Sequence, residues 1–131
     1  MIFTYMNRMN GTPFRSRDFG TIERFVEPCI LLLLSKEPAH GYGLMEGLEK
    51  HCGEEVDVGD LYRTLRRMEQ DGLVTSEWDR KENERAKRVY TVTKRGRAYL
   101  KDAVSALQQT DELIHHLFSG YQKMYLNNKT L

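Results

Sequence analysis

The residues of this chain whose types and spacing could do chemistry are cationic. Between Arg80 and Arg97 stand Arg80, Lys81, Arg85, Lys87, Arg88, Lys94, Arg95 and Arg97 against only Glu82 and Glu84, a local excess of +6 in a chain whose formal net charge is +1. Upstream, Arg63, Arg66 and Arg67 fall within five residues of one another. Such a density of guanidinium and ammonium groups suits a polyphosphate backbone, where each neutralised phosphate releases counterions, and the arginine fork also fits base edges. Other chemistries lack their residues. No Ser-His-Asp set, phosphate-cradling glycine loop or convincing carboxylate pair can be assembled, so no enzyme is expected. Cys29 and Cys52 lie far apart in sequence, with no Cys-x-x-Cys pair and no histidine at ligand spacing. Neither a disulfide framework, a metal site nor a cofactor is expected. His115 and His116 are adjacent, so on a helix they point about 100° apart and cannot hold one ion from one helix as an i, i+4 pair does.

The cations need elements to carry them. From Thr21 apolar content rises through Phe25, Val26 and Ile30 to Leu34, the pattern of a helix buried on several sides. Pro28 either starts that helix in its first turn or kinks one begun near Thr21, and a break near Glu27 is favoured because proline lacks the N–H an interior position uses. Lys36 to Gly41 carries turn chemistry, and a second helix follows with Leu44, Met45 and Leu48 on one face, ending near Cys52 and Gly53. Gly47 inside it implies close helix packing or local softness. Leu61, Leu65 and Met68 define the buried stripe of a third helix whose other faces carry Arg63, Arg66 and Arg67. Asp60 can cap that helix, the favoured reading, or complement its positive N-terminal end, and at the front of the helix it would otherwise repel phosphate unless it accepts from a cytosine amino group. After Asp71 and Gly72, Leu73 to Trp78 alternates as a half-buried strand, and Arg88 to Val92 is a second strand. The polar stretch Asp79 to Lys87 is the loop of a long hairpin, a wing.

Thr93 caps a last helix running to about Tyr125, roughly 45 Å at 1.5 Å per residue. On it Leu100, Val104, Leu107, Ile114, Phe118, Tyr121 and Tyr125 recur in steps dominated by four and three, a coiled-coil-like seam interrupted by Asp111. So small a domain cannot bury that whole stripe, and much of the seam calls for a second chain.

At 131 residues the chain has room for one domain with a modest core. Residues 1–20 show no periodicity and are expected to form a mobile, basic N-terminal arm, in which Arg8, Arg15 and Arg17 could reach an adjacent minor groove. There is no signal-peptide pattern, and the longest apolar run is far shorter than a membrane span. The expectation is a soluble, reduced, cytoplasmic protein. The fold class is mainly α with a small antiparallel β hairpin: a winged helix-turn-helix domain over 21–93, a long C-terminal dimerisation helix over 94–126, and a short tail over 127–131.

The ordered set His40-Gly41-Tyr42-Gly43-Leu44, Leu61-Tyr62-Arg63-Thr64-Leu65, Asp71-Gly72-Leu73-Val74, Trp78, Arg88-Val89-Tyr90, Thr93 and Gly96 closely resembles the PadR family of transcriptional regulators over about residues 25–100. The single C-terminal helix resembles the shorter subgroup of that family. The resemblance implies a homodimeric winged-helix protein, usually a repressor, that binds operator DNA and is released by a small aromatic or lipophilic effector. Carried over, it puts Tyr42 near a phosphate at the start of the second helix and Gly59, Tyr62, Arg63 and Arg66 on the DNA-facing part of the third. Arg80, Lys81, Arg85 and Lys87 form the wing. Some relatives stack an effector on a tryptophan of the last helix. This last helix has none, so Phe118, Tyr121 and Tyr125 are the residues that could line such a pocket, while Trp78 is expected to pack against the domain. The competing reading is a winged-helix module whose basic wing binds an acidic protein.

Overall fold

The computed structural model describes residues 25–80 and 87–126. The expected arm (1–20), the wing residues Lys81 and Arg85, and the tail (127–131) lie outside the described residues.

The first described helix, α1 (Val26–Lys36), contributes Ile30, Leu31 and Leu34 to the core, each at most 2 % exposed. Pro28 is its third residue. It sits in the first turn, where backbone N–H groups have no intrahelical acceptor and a missing one costs nothing. Helix α2 (Gly41–Cys52) buries Leu44 and Leu48 against α1 and ends where Gly53 adopts φ 67° and Glu54 N–H donates to the Leu48 carbonyl. Gly47 records close packing: a Cβ there would stand 2.9 Å from Leu33 Cδ1 of α1. Helix α3 (Val58–Gln70) buries Leu61, Leu65 and Met68 completely. Its N-cap is Asp57, whose Oδ2 accepts from Gly59 N–H at 3.0 Å, and not Asp60 as the sequence led us to expect. Asp60 lies in the first helical turn, where its charge still complements the positive end of the helix.

A short strand, β1 (Ala39–His40), precedes α2 directly, and β2 (Val74–Asp79) and β3 (Lys87–Val92) follow α3. All pair antiparallel in the order β1-β3-β2, with Ala39 opposite Tyr90 and Val74 opposite Val92. The expected hairpin is therefore a three-stranded sheet. Two residues are too few to show strand alternation, so β1 reads as turn in the sequence. Val74, Tyr90 and Val92 join the helical side chains in one core.

The last helix, α4 (Lys94–Tyr125), has 32 residues and a length of about 48 Å. Its root is fastened to the turn before the wing. Thr93 Oγ1 accepts from Gly96 N–H at 2.9 Å while its hydroxyl donates to the Gly72 carbonyl at 2.6 Å, and Thr93 N–H donates to the Leu73 carbonyl at 3.1 Å. Gly96 is buried beneath that turn. A Cβ there would overlap the Leu73 carbonyl oxygen and stand 2.9 Å from Val92 Cγ2.

Cys29 and Cys52 are free thiols, and the fold makes them neighbours. Burial, with Cys52 beside it, pushes the Cys29 thiol up to about 12. It stays protonated and unreactive at neutral pH.

The Gly96 contact gives a stability prediction. Because the obstacle is backbone, which cannot swing aside, Gly96→Ala should lose about 1–3 kcal/mol or more in urea unfolding despite the better helix propensity of alanine. A change below about 0.5 kcal/mol would show that the turn at Leu73 yields freely.

Candidate nucleic-acid interface

The start of α2, the outer face of α3 and the base of the wing enclose an open groove of about 1080 Å³. Tyr42, second residue of α2, is 74 % exposed at one side. Tyr62 is half exposed, and its ring fits into the space over Gly41, where any Cβ would overlap the phenol. Gly41 thus has a role beyond turn geometry: it admits the Tyr62 ring between α3 and the start of α2. Tyr90 lies buried in the floor, where burial raises its phenol above the ordinary tyrosine value.

The cations of α3 are in three different situations. Arg66 is exposed and lines the groove. Arg63 is exposed, and its Nη2 donates to Asp60 Oδ1 one turn earlier. Beside it, Gly59 leaves room, with its missing Cβ position 3.4 Å from Arg63 Nη1. Arg67 turns inward: Nε and Nη2 donate to Glu27 Oε1 at 3.1 and 2.9 Å, and Glu27 is 3 % exposed. Tyr99 of α4 places its hydroxyl 3.5 Å from the other oxygen of that carboxylate. The sequence grouped Arg67 with the open basic face, but the fold uses it as the counter-ion of a buried acid 40 residues away.

Across the groove the wing supplies Lys87, exposed at the start of β3, and Arg80 is exposed just past β2. Trp78 is 64 % exposed and does not pack against the domain, because the Arg88 guanidinium lies over its ring at 4.8 Å. Arg88 Nε also donates to Ser76 Oγ, which donates to Glu69 Oε1 of α3, both at 2.8 Å. This chain of partners ties the base of the wing to α3. His40 makes weaker connections to the same base, with Nδ1 3.4 Å from the Arg88 carbonyl and Nε2 3.8 Å from Asp79 Oδ2. Sequence reasoning counted Arg88 among the cations of the wing but left Trp78 and His40 out of this surface. An aromatic-cation pair at facing strand positions was the one signal available.

Negative charge borders the groove. Glu46, Glu49, Glu55 and Asp57 line a neighbouring depression of about 480 Å³ that also touches Tyr42. Phosphate is therefore favoured on the side of Arg66 and the wing and disfavoured beyond the leading end of α3. No group of three or more His, Cys, Asp or Glu side chains that could hold a metal ion occurs among the described residues. Nor is any described helix long and apolar enough to cross a membrane.

The seam residues of α4 divide along its length. Leu100 packs against the core of its own domain, and Leu107 is half-buried. Val104, Ile114, Phe118, Tyr121 and Tyr125 are exposed, the last three at about 60 %. Leu113, Leu117 and Met124, absent from the seam read in the sequence, are exposed at 64–70 % and widen the apolar face. Tyr121 and Tyr125 stack with ring centroids 4.7 Å apart, so Phe118, Tyr121 and Tyr125 share an open helix surface.

Comparison with known proteins places this arrangement. Residues 30–102 match the family described as Transcriptional regulator PadR-like family. Transcriptional regulator Rv3488 of Mycobacterium tuberculosis is 46 % identical over 70 residues, which are 53 % of this chain and 64 % of that protein, so the match spans just under two thirds of the relative. A PadR-like transcription factor from Bacteroides fragilis superposes with TM-score 0.62 at 30 % identity, covering 70 % of this chain and 88 % of the other. PadR of Bacillus subtilis, solved in complex with operator DNA, shares the fold with TM-score 0.58 at 24 % identity over 63 % of this chain and 48 % of that one.

The contrast between Arg66 and Arg67 is measurable without any ligand. Arg67→Ala strands the buried Glu27 carboxylate and should cost about 3 kcal/mol in denaturant unfolding, the low end of the range for a broken buried pair because Arg67 itself is part-exposed. Arg66→Ala should stay within about 0.5 kcal/mol of the parent. Equal losses would remove the structural role assigned to Arg67.

Proposed function

Because the chain belongs to the PadR-like family of transcriptional regulators, which are regulators and not enzymes, we propose that it is a repressor that binds a palindromic operator as a homodimer. The observation that carries this reading is the convergence of Tyr42, Tyr62, Arg66 and Lys87 on one groove beside the exposed leading end of α3. The operator complex of the Bacillus subtilis relative supports it. In this reading residues 21–93 form the winged helix-turn-helix domain. Helix α3 enters the major groove with Gly59, Tyr62, Arg63 and Arg66 toward the bases and their phosphates. Tyr42 lies at the backbone on one side, and Arg80, Lys81, Arg85 and Lys87 run along it on the other.

The dimer half of the proposal rests on α4. Each exposed large apolar side chain on that helix gains about 1.5–3 kcal/mol on full burial, and Leu113, Leu117, Phe118, Tyr121, Met124 and Tyr125 are left exposed by the described residues of their own chain. Residues 94–126 of two copies, paired through this face, would set the two α3 helices about one DNA turn apart, roughly 34 Å. A small aromatic or lipophilic effector held between the helices at Phe118, Tyr121 and Tyr125 would act by favouring a pairing with the wrong spacing. Its effect is bounded by the difference between its affinities for the two forms. The protein works in the cytoplasm, where its DNA is.

Two measurements test this. Affinity for duplex DNA covering the region upstream of its own gene should fall steeply as salt rises, and Arg66→Ala should weaken binding to all sequences alike and lower the slope of log K against log salt by about one. Absence of duplex binding even at low salt would turn the search to an acidic protein partner. In sedimentation, the parent chain should run as a dimer and Leu117→Asp as a monomer with the folded spectrum intact. A dimeric Leu117→Asp would place the interface elsewhere.

A further inference from the structure

The leading end of α3 is a poor place for a cation, and Arg63 is nevertheless held there. Helical side chains lean toward the N-terminus, so the Arg63 guanidinium comes back over the first turn, within reach of Gly59 and of the positive end of the helix dipole. Asp60 holds it there by accepting from Nη2. Asp57, the N-cap, adds a second negative charge on the same turn, and Glu55 lies close by along the chain. Both members of the Arg63-Asp60 pair are about two-thirds exposed, so they face outward together.

A guanidinium matched by a carboxylate carries little net charge and adds little to phosphate binding, which depends on the counterions it releases. Held in direction, with one of its five N–H donors bonded among the described residues, the same group suits a contact that depends on geometry more than on charge. In the major groove the partner with two acceptors at fork spacing is guanine, through O6 and N7.

We propose that Arg63 reads a guanine in each operator half-site and that Asp60 is its positioning residue, holding the guanidinium toward the base edge and away from phosphate. This rests on the DNA-binding reading above. The contact belongs to the leading turn of α3, whereas Arg66 and Lys87 supply affinity from the groove. Asp60 therefore lowers affinity for DNA in general while it sharpens the choice of sequence.

The test is selection of preferred sites from a pool of random duplexes by the full chain, followed by salt titrations on the best site and on unselected duplex. The parent should enrich one guanine per half-site. Arg63→Lys, which keeps the charge but loses the fork, should reduce preference for that guanine by about 5- to 150-fold. Asp60→Ala should also erode the preference, while its affinity for unselected duplex rises and its salt slope steepens by about one. Asp60→Asn, which keeps an acceptor, should retain more of the preference than Asp60→Ala. An unchanged guanine preference in Asp60→Ala, or a uniform loss across all sequences in Arg63→Lys, overturns the proposal and makes Arg63 a phosphate contact. Parent protein that binds duplex without any guanine preference overturns it and leaves the regulator reading intact. Parent protein that binds no duplex removes both.

Discussion

The relation between α3 and the long C-terminal helix depends on a carboxylate that is almost wholly buried. Glu27 of α1 is buried, Arg67 of α3 gives it two hydrogen bonds, and Tyr99 near the root of α4 approaches its second oxygen. A buried charge is costly unless paired, and one with partners from two other helices resists any motion that would separate them. Hydrophobic packing alone would let α3 slide or roll by fractions of a turn, since apolar contacts have little direction. The ion pair adds direction at the place where, in the proposed function, the face of α3 turned to DNA must keep a fixed orientation to the helix that pairs with a second copy.

A polar chain performs the same service on the other side of α3. Glu69, Ser76 and Arg88 run from the helix into the sheet, and Arg88 covers Trp78 at the base of the wing. These bonds tie the sheet to α3 across the groove between them. Tyr62 in the space over Gly41 closes the third side of this frame. The candidate interface is thus framed by groups with internal partners, while Arg66, Lys87 and Tyr42 are exposed.

Much of this was legible in the sequence, for reasons that particular residues make plain. Leu61, Leu65 and Met68 repeat with the helical period, Thr93 stands where an N-cap belongs, and Gly53 and Gly72 end helices with positive φ. These are local signals, set by backbone geometry within a few residues. What escaped is what only the folded chain brings together. Arg67 finds Glu27 from 40 residues away, Cys29 finds Cys52, and β1 exists only because β3 lies beside it. The exchange of Asp60 for Asp57 as the cap is of another kind. Two aspartates three residues apart are equally able caps, and the extended backbone at Asp57 decides between them.

The fastening of α4 at Thr93 and Gly96 gives the molecule a mechanical property. A rod of about 48 Å clamped at one end is a lever, and a swing of roughly 5° at the clamp carries the far end about 4 Å. Read in reverse, a displacement of a few ångströms near Tyr125, the size of one aromatic ring wedged aside, returns to the clamp as only a few degrees. Large travel at the tip thus corresponds to small strain at the base, and the core beneath the clamp need not be disturbed.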